Sequence, residues 1–355
     1  MQIVADENIP LLDEFFSEVG EIKKVSGRDI QASDVEQADL LLVRSVTQVN
    51  EALLANSPVK FVGTCTIGTD HIDLDYLEQN KIQFASAPGC NSVAVVDYVL
   101  SVLSILVDER DISFSDLTVA IIGVGNVGFK LRKRLESMGL KVLAVDPFKT
   151  EEEVGELVSF EEALQADVIS LHTPLTTDGS HPTHHMINQA VLEKMKDDVC
   201  LINSCRGSVI NNDDLKAHLL NNQDVQAVLD VWEKEPEVDL ELMQLCKIST
   251  PHIAGYSLDG KMNGTYMVYQ ACCQALGLPE RRQLGQFLPV PGIKEIRFDS
   301  SVPHNQALRT AIRAAYEVRA DNYGEADRKF CALIHCAKLS INFAVIIRCA
   351  VIFQH

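Results

Sequence analysis

The chain has 355 residues, enough for two or three domains, and 46% hydrophobic with 23% charged residues is the mix of a globular protein with sizeable cores. Its formal net charge of −19 lacks the basic surface that a nucleic-acid partner or a polybasic membrane anchor needs. It does not forbid an anionic small molecule, because a few arginines can dominate the field inside a cleft. The cysteines form no C-x-x-C pair and no His/Cys metal spacing, which points to reduced thiols in the cytoplasm rather than a secreted disulfide scaffold. The start, Met1-Gln2-Ile3-Val4-Ala5-Asp6, has neither a basic stretch nor a long apolar run, so no signal peptide is expected.

Residues 1–90 alternate short β-like runs with helical patterns. Strands are predicted at 2–5, 40–43, 60–64 and 82–85, and a helical pattern opens at Pro10 and ends near Gly20. Leu40-Leu41-Leu42-Val43 is apolar at every position, as in a strand covered on both faces. Pro88-Gly89 breaks the pattern, and Asn91 or Ser92 then caps an apolar helix through Val107. That helix contains Asp97 and is too short for a membrane span of about 20 residues. A second α/β series follows, with strands at 118–122, 141–145, 168–171, 199–202, 227–229 and 247–249. Beyond Gly277, Pro279, Pro289, Pro291 and Gly292 mark a linker to a smaller third unit.

The strand predicted at 118–122 runs into Gly123-Val124-Gly125-Asn126-Val127-Gly128. A G-x-G-x-x-G alone is weak evidence, but here a β-branched strand precedes it. An amphipathic helix follows, with Val127, Leu131, Leu135 and Met138 on one face. A further strand then delivers Asp146, roughly 20 residues past the last glycine. The first glycine permits the tight turn, the second lets the backbone approach a pyrophosphate, and the third lets helix pack on strand. The helix N-terminus offers unpaired N–H groups to that pyrophosphate. Asp146 would accept hydrogen bonds from ribose hydroxyls and repel a 2′-phosphate, which favours NAD over NADP.

Oxidising a 2-hydroxy acid takes a cation for the carboxylate, a base for the hydroxyl proton and a partner that tunes the base. Arg206 in Asn203-Ser204-Cys205-Arg206-Gly207, Glu235 in Asp230-Val231-Trp232-Glu233-Lys234-Glu235-Pro236 and His252 in Pro251-His252-Ile253-Ala254-Gly255 fall after three successive strands. Singly, each is as well read as a surface Arg, a solvated acid and a structural His. Together, in this order behind the glycine loop, these motifs resemble those of the D-isomer-specific 2-hydroxyacid dehydrogenases. The resemblance implies that Arg206, Glu235 and His252 are catalytic. It implies two doubly wound parallel-sheet α/β domains, a flavodoxin-like substrate domain (1–90 plus 257–280) and a Rossmann NAD domain (91–256). A small C-terminal α+β dimerisation domain (281–355) would make the chain a homodimer.

Within the family the likeness is to members that act on a phosphorylated 2-hydroxy acid. Asp6-Glu7-Asn8-Ile9-Pro10, Val43-Arg44-Ser45-Val46-Thr47, Gly68-Thr69-Asp70-His71, Ala87-Pro88-Gly89-Cys90-Asn91 and Ala254-Gly255-Tyr256 carry it. It implies substrate contacts at Ser45, Thr66 and Tyr256, and NAD contacts at Asn126, Val127, Asp146, Thr173, Cys205, Arg206, Asp230 and Gly255. Arg44 and Ser45 follow one predicted strand and Thr66 another, so both loops could donate to a phosphate. The competing reading of Arg44 is a structural ion pair with Asp70 or Asp6. Relatives acting on phosphoglycerate or glyoxylate, and an NAD-sensing module without turnover, are the alternatives. His181, His184 and His185 invite a metal reading, but no further ligand lies nearby in sequence and hydride transfer needs no metal, so none is expected. Past Asp321 the chain departs from the family pattern, turning apolar and poor in acids around Cys331, Cys336 and Cys349. An altered reading frame and a divergent pair of core helices both fit that departure.

Overall fold

In both halves of the chain, apolar runs too short for helices become buried parallel strands. The computed structural model describes residues 1–290, 292–293 and 295–322 and the backbone of Ala350–Phe353. It divides into two units, one built from Met1–Asn91 with Tyr256–Val290, the other from Ser92–Gly255 with the residues described from 292 on.

The first unit holds β1 (Gln2–Asp6), β2 (Glu21–Val25), β3 (Leu40–Val43), β4 (Phe61–Thr64) and β5 (Gln83–Ala85) in one parallel sheet of order β2-β1-β3-β4-β5. Side chains alternate faces along each strand. Ile3, Ala5, Leu40, Leu42 and Phe61 pack with Val268 and Cys272 of helix Leu258–Leu276. Val4, Leu41, Val43 and Val62 fill the opposite face with Val35, Leu53 and Leu77. Gly63 has no side chain because Val268 of that helix lies where one would be, 2.4 Å from a built Cβ. The order reverses direction at β1, so the carboxyl ends of β1 and β3 form a topological switch point, the usual ligand position in such sheets. Asp6 ends β1 and Arg44 follows β3.

The second unit holds β6 (Thr118–Ile122), β7 (Lys141–Val145), β8 (Val168–Leu171), β9 (Cys200–Asn203), β10 (Gln226–Leu229) and β11 (Ile248–Ser249), all parallel, in the order β11-β10-β9-β8-β6-β7. Its switch point lies between β6 and β8, beside the glycine loop. Val119, Ile121, Val168, Ile202 and Val228 pack on the almost wholly buried helix Ser92–Glu109. Burial on nearly every side explains why that helix shows no polar stripe. Among the described residues no helix is long and apolar enough to cross a membrane.

The described residues of the stretch expected to form a third domain group with both units. Arg281 and Arg282 pair with Glu18 in the first unit. Helix His304–Ala315 lies on helix Ser92–Glu109, where Arg309 and Arg313 both pair with Asp108, and Val318 is buried in the same core. Strand β12 (Glu295–Phe298) pairs in parallel with β13 (Ala350–Phe353). The remainder of the apolar tail, with Cys331, Cys336 and Cys349, lies outside the described residues.

Candidate active site

The glycine loop leaves the carboxyl end of β6. Gly123 has φ +96°, and a Cβ there would sit 2.7 Å from the His172 carbonyl oxygen beyond β8. A Cβ on Gly128 would lie 2.0 Å from the Gly123 oxygen, so this glycine lets helix Asn126–Ser137 seat on the strand. Gly125 differs from both, since a Cβ there meets nothing within 4 Å. Folding does not demand that glycine; a ligand approaching the backbone would. The helix that follows has no side-chain N-cap and no acid in its first turn, which keeps its N–H groups for an anion.

Asp146 follows β7. Its carboxylate accepts the Val124 N–H at 2.9 Å and the Phe148 N–H at 3.0 Å. The acid thus fixes the glycine loop and keeps further lone pairs for ribose hydroxyls. Asn126 is exposed at the loop tip, whereas the Val127 side chain packs into the core, so a cofactor contact there would use its backbone N–H. Thr173 follows β8 against Gly123. Beyond β9, the Ser204 hydroxyl is buried with no partner among the described residues, a polar atom the fold itself leaves unsatisfied. These features fit a dinucleotide at the carboxyl edge of the sheet.

Asn203 ends β9 and shapes the next turn, accepting the Cys205 N–H at 3.1 Å and donating to the Arg206 carbonyl at 2.9 Å. Arg206 Nη1 donates to the Cys205 carbonyl at 2.8 Å, which holds the guanidinium plane. The Cys205 thiol is pushed up by burial and stays protonated. A Cβ on Gly207 would lie 2.0 Å from the Trp232 carbonyl carbon, so this glycine lets the Arg206 turn abut the loop that carries Glu235.

Glu235 accepts the Trp232 N–H at 2.8 Å through Oε1 and meets His252 Nδ1 at 2.8 Å through Oε2. Trp232 is itself anchored by its indole N–H to the Thr250 carbonyl at 3.1 Å. His252 has φ +58°, the left-handed region that a side chain rarely adopts, and its N–H donates to the Asp230 carbonyl at 2.7 Å. Asp230 is buried, and its carboxylate accepts the Thr250 hydroxyl at 2.6 Å and the N–H groups of Ile253 and Ala254 at 2.8 and 2.9 Å. Burial pushes the Asp230 carboxyl up. Its side chain ties together residues 250–254, the loop that ends in Gly255. For His252, desolvation acts to lower the imidazole, but Glu235 and Asp230 outweigh it and hold it above its ordinary value.

In the first unit Arg44 pairs with Asp6, Nε to Oδ2 at 2.8 Å and Nη2 to Oδ1 at 3.2 Å, so of the two acids expected Asp6 is shown as an ion-pair partner. Ser45 is exposed beside it. The Thr66 hydroxyl lies 2.8 Å from Thr64 Oγ1, which in turn lies 3.0 Å from His71 Nε2. Tyr256 opens the segment before helix Leu258–Leu276, and Lys261 Nζ sits 3.4 Å from its ring centroid. Two residues escaped the sequence reading. Lys261 looks like any helical lysine, its clue being its place one turn past Ala254-Gly255-Tyr256. Phe148 is 69% exposed two residues past Asp146, with the His181 ring edge-on at 5.6 Å. The fold also brings Glu233 to the histidine-rich loop. His185 Nε2 lies 2.5 Å from Glu233 Oε1, the rings of His184 and His185 stack at 3.9 Å, and one ligand atom from each of His184, His185 and Glu233 lies within 4.8 Å of the others, a grouping that could hold a metal ion although none was expected from the sequence.

Residues 108–254 match the family described as D-isomer specific 2-hydroxyacid dehydrogenase, NAD binding domain. The chain is 50% identical over 322 residues to the erythronate-4-phosphate dehydrogenase of Hahella chejuensis, covering 91% of this chain and 84% of that protein. It is 52% identical over 323 residues to the enzyme of that name from Pseudomonas putida, covering 91% and 85%. Among solved structures, the Aquifex aeolicus D-lactate dehydrogenase complexed with NAD and lactic acid superposes with a TM-score of 0.63 at 27% identity, over 78% of this chain and 96% of that one. The NAD-bound 3-phosphoglycerate dehydrogenase of Entamoeba histolytica shares the fold at 24% identity and a TM-score of 0.65, over 78% and 95%.

Proposed function

The chain belongs to the D-isomer-specific 2-hydroxyacid dehydrogenase family, and we propose that it oxidises 4-phospho-D-erythronate to (R)-3-hydroxy-2-oxo-4-phosphobutanoate, a step of pyridoxal 5′-phosphate biosynthesis. It is an NAD-dependent enzyme. The observation that carries the chemistry is the Glu235–His252 pair at 2.8 Å, with Arg206 on the turn after the neighbouring strand β9. The phosphorylated four-carbon acid is supported by the name its relatives carry, at 50–52% identity.

NAD would be held at Gly123, Gly125, Asn126, Val127, Gly128, Asp146, Thr173, Cys205, Arg206, Asp230 and Gly255, and when bound would supply the hydride acceptor. Arg206 binds the substrate carboxylate with its planar fork and draws charge from the C2 oxygen. Because the Glu235 carboxylate accepts a hydrogen bond from His252 Nδ1–H, the Nε2 atom is left as the base for the C2 hydroxyl proton. As that proton arrives, Glu235 stabilises the imidazolium. The C2 hydrogen leaves with its electron pair, the C2–O bond becomes a carbonyl, and the proton stays on Nε2 until it passes to solvent. In reverse, the protonated His252 donates to the ketone oxygen.

Arg44, Ser45, Thr66 and Tyr256 contact the substrate, with Arg44 and Ser45 at its phosphate. The enzyme works in the cytoplasm, in keeping with seven cysteines that are all free among the described residues, and as a homodimer, which rests on the family resemblance. Steady-state NADH formation with 4-phospho-D-erythronate, set against 3-phosphoglycerate, tests the assignment. Turnover of the first with kcat/KM at least 100-fold higher is expected; preference for phosphoglycerate or glyoxylate overturns the substrate, and turnover of no 2-hydroxy acid overturns the enzyme reading. Light scattering of the full chain at the dimer mass tests the assembly.

A further inference from the structure

Within the first unit the fold places two cations near one another and gives only one of them a carboxylate. Arg44 is held by Asp6. Lys261 makes no ion pair among the described residues, and its close partner is the face of Tyr256 at 3.4 Å. Burial pulls Lys261 down to about 8, and Arg44 pushes in the same direction, with no acid opposing them. The lysine also occupies the first turns of a 19-residue helix, the end where the backbone dipole disfavours a cation. Burial, a like-charged neighbour and the helix dipole therefore all act against the charged amine. The chain has 50 acidic and 31 basic side chains, so an acid for Lys261 would have been easy to supply. The site keeps its positive charge unneutralised, which is the electrostatic form of a receptor for an anion.

We propose that Lys261 is a ligand of the substrate's phosphate and, with Arg44, sets the enzyme's preference for a phosphorylated acid. The proposal rests on the phosphorylated-substrate reading above. A phosphate can meet the uncompensated charge of Lys261 beside the Arg44–Asp6 pair, and the ammonium can donate to two of its oxygens while the lysine stem remains against Tyr256. An unphosphorylated 2-hydroxy acid would leave Lys261 half-buried without a counter-ion, so the same lysine selects against it. Tyr256 then acts as the surface that aims the ammonium, through the cation–π contact.

The test uses the full-length enzyme with Lys261→Met, which keeps the stem, and Lys261→Gln as a second variant. Inorganic phosphate binding to the protein without substrate is measured by calorimetry, and KM for 4-phospho-D-erythronate by turnover. Both variants should bind phosphate about 10- to 100-fold more weakly and show a KM raised by a similar factor. Their affinity for NAD should match wild type, which also reports that they fold. Phosphate affinity equal to wild type in both variants, or no phosphate binding by wild type, overturns the proposal. Loss of NAD affinity in both variants also overturns it, since Lys261 would then be a structural residue. If phosphate binding depends on Lys261 but the enzyme turns over a different phosphorylated acid, the proposal stands and only the substrate named above falls.

Discussion

Glu235 Oε2 and His252 Nδ1 lie 2.8 Å apart, and this contact sets both the tautomer and the acidity of the imidazole. The carboxylate is itself fixed by the Trp232 N–H, and its side chain is only 10% exposed, so its charge acts through little water. Glu235→Gln keeps the shape and removes the charge. His252, held above its ordinary value in the wild type, should then fall. The limb of kcat/KM for oxidation that rises with pH should move to lower pH. The alkaline limb of the reverse reaction, which needs imidazolium, should move the same way. The reduction rate near pH 7 should drop about 10- to 100-fold. pH profiles in both directions check this, and limbs that stay in place would mean the glutamate does not tune the base.

Arg206→Lys separates charge from geometry. Arg206 Nη1 is tethered to the Cys205 carbonyl at 2.8 Å, so the remaining edges of a rigid fork present a fixed pattern of donors. A lysine keeps one positive charge but neither the plane nor the tether. We expect kcat/KM to fall about 10²- to 10³-fold, and NAD affinity, titrated by protein fluorescence, to fall by a much smaller factor, since Arg206 is one of many cofactor contacts. Near-normal kcat/KM in the lysine variant would show that charge alone suffices there.

Gly125 and Gly128 belong to the same motif but answer to different demands. A Cβ at Gly125 meets nothing within 4 Å, and φ is −80°, so alanine fits the fold. Gly125→Ala should melt within a few degrees of wild type yet bind NAD about 10-fold or more weakly, because the methyl group occupies the pyrophosphate's approach. At Gly128 a Cβ lies 2.0 Å from the Gly123 oxygen, so Gly128→Ala must push the helix off the strand and should lose stability as well as NAD. Calorimetric melting and NAD titration of both variants decide it; equal NAD affinity in Gly125→Ala and wild type would remove the ligand explanation for that glycine.

The sequence was most legible where strands are buried on both faces. Leu40–Val43 is apolar at every position and Val168–Leu171 at all but Ser170, and both lie where the runs predict. Strand β2, Glu-Ile-Lys-Lys-Val, escaped because it is an edge strand without a buried face, so no apolar run or clean alternation marks it. The linear motifs pick out Arg206, Glu235 and His252, which lie on the loops after β9, β10 and β11 of one sheet. They left open whether Arg44 pairs with Asp70 or Asp6, and could not expose the backbone strain at His252 or the lone charge on Lys261, which depend on which residues the fold brings together. Glu233 beside His185 was hidden for the same reason, being 48 residues away in sequence.

Asp97 gives a prediction independent of catalysis. It lies in helix Ser92–Glu109 among Val96, Tyr98 and Val99, and burial raises its carboxyl to about 6, with Arg134 opposing only in part. An unfolded aspartate titrates near 3.9. Between about pH 4 and pH 6 the folded chain therefore holds this proton more tightly than the unfolded chain does. The stability it contributes is fully present below about pH 4 and is lost as pH rises through about 6. That loss amounts to at most about 3 kcal/mol. Asp97→Asn is neutral throughout and escapes it, while the other carboxylates titrate alike in both proteins and cancel in the difference. The variant should melt a few degrees above wild type at pH 7 to 8 and at about the same temperature at pH 4. Melting curves of the two proteins from pH 4 to 8 check this; a difference that does not change with pH would show that Asp97 titrates alike in the folded and the unfolded chain.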